Sequence, residues 1–436
     1  MEEMYKFIKL GYTAKLMIND LLYRCPQCGA FDWLEQNHCV SCQADFRLTS
    51  RSLASLDGEV RPISHWYKKI LAFELPEAFS GTIMKSRQVR LSRESQEGMY
   101  EGYAGITACH FTRAPVDTGT LFLKEDVLSF SGVTTAIDVP FDALMGVTIE
   151  SNTIIVISRE HGPLFFDFLD ESGKKWEDFI QKALKKHHVP HEILEFYPRV
   201  RFRGSLRETP SKVPGHQKLR APERRWYPRD KSMLSMVLKP IARPVLKALL
   251  SVAITGLENI PAKGAAIVVP NHTSFLDSVI LGFFTRRDIW YMAKNSEYRH
   301  HFMKWFLRHA GSFPVRRYTI DVLAIRNAIR VVEHGHILGI FPEGERTWDG
   351  EMLPLRTGTI RLILALDTPV IPVGISGAYS LMPRWTSAIK LSPIKIAIGK
   401  PITFPHIPIP RQTRNDIESA SRELRAQIQR LSGGIP

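Results

Sequence analysis

From Gly264 onward the chain alternates between short runs of strand character and longer runs of helical period, and this alternation narrows the possible folds more than any other feature. Residues 265–270, 289–293, 336–341 and 370–375 read as strands, while 275–284, 321–333 and 358–366 read as helices. Segments in that order build an α/β domain with a mixed, largely parallel sheet, because a helical crossover returns the chain beside the strand it left. Ligands in such sheets are met where strands end, so the residues just after each strand become the candidates for chemistry.

Directly after the first of these strands stands Asn271-His-Thr-Ser-Phe-Leu-Asp277. A hydroxyl is a poor nucleophile while it keeps its proton, and His272 is the side chain suited to accept that proton near neutral pH. Asp277 can hold the imidazole in one tautomer. No serine nucleophile is required if a substrate hydroxyl attacks an acyl donor directly. The backbone N–H groups that open the following helix are candidates to stabilise the oxyanion that results.

Three further blocks follow in order: Gly311-Ser-Phe-Pro-Val-Arg316-Arg317, Phe341-Pro-Glu343-Gly344-Glu345-Arg346-Thr347 and Val370-Ile-Pro-Val373. Together with the His272 block they resemble the glycerolipid acyltransferases typified by 1-acylglycerol-3-phosphate acyltransferases, over about 200 residues. The resemblance implies an enzyme that moves a fatty acyl group from acyl-CoA or acyl carrier protein to the hydroxyl of a lysophosphatidate-like acceptor, with no catalytic cofactor. It makes His272 the general base and Asp277 its partner. It also implies substrate-binding roles for Lys294, Arg316, Arg317, Glu343, Gly344 and Arg346, and an acyl-pocket role for the last block. Adjacent residues on a strand point opposite ways, so Arg317 is favoured over Arg316 for the acceptor's phosphate. One departure matters: the family usually has threonine where this chain has Glu345, which sets a negative charge beside the expected phosphate site.

The first half of the chain reads differently. Cys25-Pro-Gln-Cys28 and Cys39-Val-Ser-Cys42 stand ten residues apart, the spacing with which a zinc ribbon sets four thiolates around one structural Zn ion. Gly29 permits the tight turn after the first pair; His38 lies close by, but four thiolates already complete the set. Short β-type runs follow, and then a helix with Trp176, Phe179, Ile180, Ala183 and Leu184 on one face. This order, a strand meander closed by one amphipathic helix, is similar to the pleckstrin-homology and GRAM superfamily. The expected organisation is therefore multidomain, with an N-terminal segment and zinc ribbon at 1–60, a small β domain with a C-terminal helix at 61–190, a basic linker at 191–232 and the acyltransferase domain at 233–436.

The net charge of +14 is unevenly spread, since residues 199–231 hold eleven lysines and arginines against three acids. Such a stretch suits an anionic phospholipid membrane, and Trp226 and Tyr227 within it suit the interface. Lys239, Arg243 and Lys247 recur every fourth residue in an apolar stretch at 233–254 that reads as interfacial helix, with Pro240 and Pro244 expected to kink or divide it. No apolar run is long enough to span a bilayer, and the glutamates after Met1 differ from a secretory signal. The expected location is cytoplasmic and peripheral, with the lipid acceptor, the membrane and acyl carrier protein as partners. Two other readings compete. A zinc ribbon with a basic linker could bind nucleic acid, but the run has no reading helix and leaves four blocks unexplained. An acyltransferase-fold lipid-binding adaptor without turnover would have no need to keep His272 and Asp277.

Overall fold

The computed structural model describes residues 17–101, 107–189, 191–203, 233–299 and 301–433. Most of the basic run, including Trp226 and Tyr227, and the first sixteen residues lie outside them. One helical turn (Ile18–Leu21) precedes the paired cysteines, where β1 (Leu34–Glu35) pairs with β2 (His38–Cys39). Gly29 adopts φ +78°, and a Cβ there would come within 2.9 Å of the Phe73 ring, so the turn after Cys28 requires glycine. Strands β3 (Phe46–Leu48), β4 (Leu53–Leu56) and β5 (Glu59–Pro62) form a small antiparallel sheet leading into helix α1 (Ile63–Ala72), which buries Trp66 and Ile70.

Next come β6 (Thr82–Glu101), β7 (Thr107–Lys124), β8 (Val127–Gly132), β9 (Ala136–Pro140), β10 (Leu144–Glu150), β11 (Thr153–Ser158) and β12 (Gly162–Phe168). They form one antiparallel sheet in the order β10-β11-β12-β6-β7-β8-β9. Helix α2 (Gly173–His187) closes it, capped by the Ser172 hydroxyl and burying Trp176, Phe179, Ile180, Ala183 and Leu184. The cysteine segment and this sheet share one hydrophobic core, which also takes in Trp348 and Trp385 from the far end of the chain.

The expected linker is structured where it starts. Strands β13 (Ile193–Glu195) and β14 (Arg201–Phe202) pair with each other, and the Glu195 carboxylate accepts from the backbone N–H and the hydroxyl of Thr357 at 2.6 and 2.8 Å. This short hairpin therefore belongs to the contact between the halves of the molecule.

The C-terminal half opens with helix α3 (Met233–Leu250). Pro240 and Pro244 lie inside this one helix, so of the two outcomes the sequence allows, a kink or two pieces, the chain is not divided into two. Next follow β15 (Ala253–Thr255), β16 (Ala266–Pro270), α4 (Asp277–Phe284), β17 (Ile289–Lys294), α5 (His301–His309), β18 (Ser312–Val315), α6 (Val322–Glu333) and β19 (Ile337–Gly339). The chain ends with α7 (Thr357–Ala365), β20 (Val370–Ser376), β21 (Lys395–Ile398) and α8 (Arg414–Leu431). The sheet order is β15-β21-β20-β16-β19-β17-β18. Its five strands from β20 to β18 run parallel, and only the β20–β21 junction is antiparallel, so the sheet is mixed. Apolar cores cover both of its faces.

Candidate active site

Because β16, β19, β17 and β18 are parallel neighbours, their carboxyl ends fall on one edge of the sheet. His272 lies two residues beyond β16, Lys294 ends β17, Arg316 and Arg317 follow β18, and residues 343–346 follow β19. The fold thus gathers the side chains singled out in the sequence at one place, as a parallel sheet does.

The segment between β16 and α4 is pinned at both ends. The Asn271 side-chain amide exchanges two hydrogen bonds with the backbone of Ile375 on β20, at 2.7 and 2.9 Å. Asp277, wholly buried in the first turn of α4, accepts on Oδ2 from His272 Nδ1 at 3.0 Å and from the N–H groups of Thr273 and Ser274 at 2.7 and 2.8 Å. This fixes the ring with its proton on Nδ1 and leaves Nε2 as the nitrogen that can accept one. The ring also stacks on Phe341, centroids 3.9 Å apart, and Phe341 stacks on Tyr291. Burial pushes the imidazole below its ordinary range, Asp277 pulls it back, and Arg346 and Arg317 add to the lowering. The histidine is therefore neutral at pH 7, as a base must be. The N–H groups of Thr273 and Ser274, which precede α4, are committed to Asp277.

Glu343 is also placed differently from its expected contact with substrate. It is wholly buried, with Oε1 accepting from His272 N and Oε2 from Leu353 N, both at 2.7 Å. It is thus anchored to the backbone of the loop that carries His272. Burial, aided by Asp277, raises its carboxyl to about 8 against the two N–H donors. Gly344 takes φ +76°, and a Cβ there would meet Arg356 at 3.1 Å and the Tyr197 hydroxyl at 3.3 Å. Its carbonyl accepts from Arg317 NH1 at 2.8 Å. The Arg346 guanidinium lies 5.9 Å from the Phe275 ring centroid.

The two adjacent arginines diverge. Arg316 lies 3.9 Å over the Phe111 ring and reaches Glu94 at 3.5 Å, both on the long β6–β7 hairpin. Arg317 turns inward to Gly344 and to Glu150, with NH2 at 3.6 Å from the carboxylate. Lys294 Nζ meets Glu150 at 3.0 Å. Burial lowers this ammonium to about 8, Glu150 opposes the shift and Arg317 adds to it. Glu345 does not stand as a bare charge beside the site. Arg384 at 2.7 Å, Arg356 at 3.0 Å and the Tyr197 hydroxyl at 3.1 Å hold it. Burial would raise this carboxyl, but Arg384 and Arg356 outweigh burial and hold it at about 2. Arg356, Arg384 and Tyr197 have no motif in the sequence, and the one signal that could have found them is the departure at Glu345, a buried acid that needs partners.

The last block is core. Val370, Ile371 and Val373 are wholly buried in β20. A mostly apolar cavity lies beyond β16 and β19 from this block and is lined by Leu238, Val279, Phe283, Tyr291, Phe306 and Leu307 among others.

Far from this edge, the four cysteine sulfurs lie within 4.8 Å of one another. Cys25 to Cys42 is 3.8 Å and Cys28 to Cys39 is 3.7 Å. Four thiolates placed at about 2.3 Å around one tetrahedral ion stand about 3.8 Å apart, so the donor set fits a metal ion of that kind. His38 is outside the cluster and lies 3.7 Å from Asp45.

Residues 251–376 match the family model described as Acyltransferase. The chain is 28% identical to the 1-acyl-sn-glycerol-3-phosphate acyltransferase of Bacillus subtilis over 198 residues, 44% of this chain and 94% of that protein. Enzymes of the same name from Borreliella burgdorferi and Saccharomyces cerevisiae are 32% and 28% identical, with 28% and 41% of this chain and 50% and 59% of theirs covered. A crystal structure of the 1-acyl-sn-glycerophosphate acyltransferase PlsC from Thermotoga maritima aligns with 46% of this chain and 78% of its own at 26% identity and a TM-score of 0.39. Residues 251–376, which carry the His272–Asp277 pair at the strand ends, are thus the part of the chain that is similar to acyltransferases.

Proposed function

We propose that the C-terminal half transfers a fatty acyl group from a thioester, acyl-CoA or acyl carrier protein, to the free hydroxyl of a lysophosphatidate-like acceptor at an anionic membrane surface. The observation that carries this reading is the His272 Nδ1–Asp277 bond, which readies Nε2 on the strand edge that also bears Lys294 and Arg317. His272 Nε2 takes the acceptor's hydroxyl proton as the oxygen attacks the thioester carbonyl. The tetrahedral intermediate expels the thiolate, and the imidazolium returns the proton to that sulfur. Asp277 stabilises the charged ring between the two steps. Lys294 and Arg317 hold the acceptor's phosphate, Arg346 adds charge nearby, and the cavity under α3 takes acyl chain.

Membrane association is supported by α3 and α5. Val237, Ile241, Val245 and Leu249 form an exposed stripe along α3, and Phe302 and Trp305 are exposed on α5. No helix among the described residues is long and apolar enough to cross a membrane, so the stripe suits a helix lying in the interface. The four cysteines are assigned to one structural zinc ion, and the sheet domain to recruitment or regulation.

The test incubates the purified chain and its His272→Ala variant with labelled long-chain acyl-CoA and a panel of lysolipids. Phosphatidate formed by the wild type, and reduced about 100- to 10,000-fold in the variant, is the expected result. Equal turnover by both would remove His272 from the chemistry. No product with either acyl-CoA or acyl carrier protein would remove the enzymatic reading.

A further inference from the structure

Lys294 and Arg317, the residues given above to the acceptor's phosphate, already hold a carboxylate. Glu150, the last residue of β10, is 5% exposed. Its Oε2 lies 3.0 Å from Lys294 Nζ and 2.9 Å from Arg113 NH2, and its Oε1 lies 3.6 Å from Arg317 NH2. Glu150 and Arg113 belong to the antiparallel sheet, whereas Lys294 and Arg317 belong to the acyltransferase sheet, so the ion cluster spans the two. Burial alone would raise the Glu150 carboxyl, yet Lys294, Arg317 and Arg113 hold it at about 2, so it is charged at any working pH.

The carboxylate is an incomplete match for the cations around it. Arg317 Nε is buried without a hydrogen-bond partner among the described residues, and the NH2 contact is long. A phosphate monoester offers three terminal oxygens and nearly two charges where a carboxylate offers two oxygens and one. Two anions cannot share this buried space without strong repulsion. Arg113, from the same sheet as Glu150, offers it a partner that does not depend on Lys294 or Arg317, so displacement from those two need not leave an unpaired buried charge.

We propose that Glu150 is a specificity-determining residue of the acceptor site: its carboxylate fills the anion subsite formed by Lys294 and Arg317, and a phosphate-bearing acceptor must displace it while an uncharged one need not. This rests on the proposed role of Lys294 and Arg317. By linkage, an acceptor that displaces Glu150 also loosens the sheet domain at β10.

The test compares the full chain with its Glu150→Gln, Lys294→Met and Arg317→Lys variants. Lysophosphatidate is the acceptor, uncharged monoacylglycerol is a second acceptor or a competitor, and glycerol 3-phosphate is an inhibitor. Glu150→Gln is expected to lower KM for lysophosphatidate and the half-inhibiting concentration of glycerol 3-phosphate about tenfold, relative to monoacylglycerol. If both stay the same or rise, Glu150 serves to position the two cations and the proposal is overturned. If Lys294→Met and Arg317→Lys also leave both unchanged, the underlying assignment of the phosphate site has failed as well, which separates the two cases. Should Glu150→Gln not fold, amide exchange on the wild-type chain decides: glycerol 3-phosphate speeds exchange at residues 148–153 if it displaces Glu150, and unchanged or slower exchange there overturns the proposal.

Discussion

At the residue scale the chemistry depends on which state each buried group adopts. His272 is held below its ordinary range chiefly by burial, so it is already deprotonated at neutral pH. The rate with acyl donor should therefore climb with pH through a midpoint below the usual histidine value, about 6.5, and level off above it. Asp277→Asn removes the negative charge and offers an amide that can donate to Nδ1 and favour the wrong tautomer, and kcat should fall about 100- to 10,000-fold. A pH–rate profile of both proteins checks this: a wild-type midpoint well above the usual histidine value, or a near-normal rate in the variant, would break the assignment. His272 and the arginine pair could be singled out in the sequence because they closely follow strands, Asp277 because it opens the next helix, and Lys294 by the family resemblance. The partners of Glu345 were not, since Arg384, Arg356 and Tyr197 are brought to it from three separate segments. Likewise Glu150 sits in an ordinary strand, and only the tertiary fold brings it to Lys294.

At the scale of elements the seven segments read in the C-terminal half match the structure nearly to their bounds, because buried parallel strands and amphipathic helices carry strong periodicity, whereas β15, α5, β18, β21 and α8 were not read. Helix α3 shows where periodicity misleads. Its cations at every fourth position suggest a basic face toward lipid. In the structure Lys239 reaches Asp288, and Arg243 donates to the carbonyls of Phe283 and Thr285 at the end of α4. Cations at a helix C-terminus satisfy orphan carbonyls and complement the dipole. Lys239 and Arg243 thus turn inward, while Lys247 stays exposed and the apolar stripe lies outside. Replacing Ile241 and Val245 by glutamate should leave the fold intact, since both side chains are exposed. Each apolar side chain buried in lipid contributes roughly 1.5 to 3 kcal/mol, so binding to anionic vesicles should weaken more than tenfold in a sedimentation assay. Undiminished binding would place the membrane contact elsewhere.

At the scale of the whole molecule the four domains expected from the sequence are less separate than their composition suggests. The cysteine segment has no core of its own: wholly buried Cys25 and Cys39 pack with Trp33 and Phe46 into the core of the antiparallel sheet domain. Removing metal from the cysteines, by chelation or by Cys25→Ser, should therefore loosen the sheet domain as well. Near-ultraviolet circular dichroism should report it together with release of zinc, and unchanged tryptophan signals in the stripped protein would show the ion to be dispensable. The contact between the halves was not legible, because it depends on residues far apart in the chain. Arg51 donates to the carbonyls of Leu381 and Ala388, Lys68 pairs with Glu351, and Arg384 donates to Ile149.

The two tryptophans that the C-terminal half contributes to the N-terminal core have a consequence in time. On the ribosome, everything from the cysteine knuckles to α2 is made before Trp348 and Trp385, which follow its last residue by 161 and 198 positions. At ordinary elongation speeds that is a delay of roughly 10 to 40 seconds. Through that interval the nascent first half carries an unfilled seam where the second half will seat, a natural place for a chaperone to hold it.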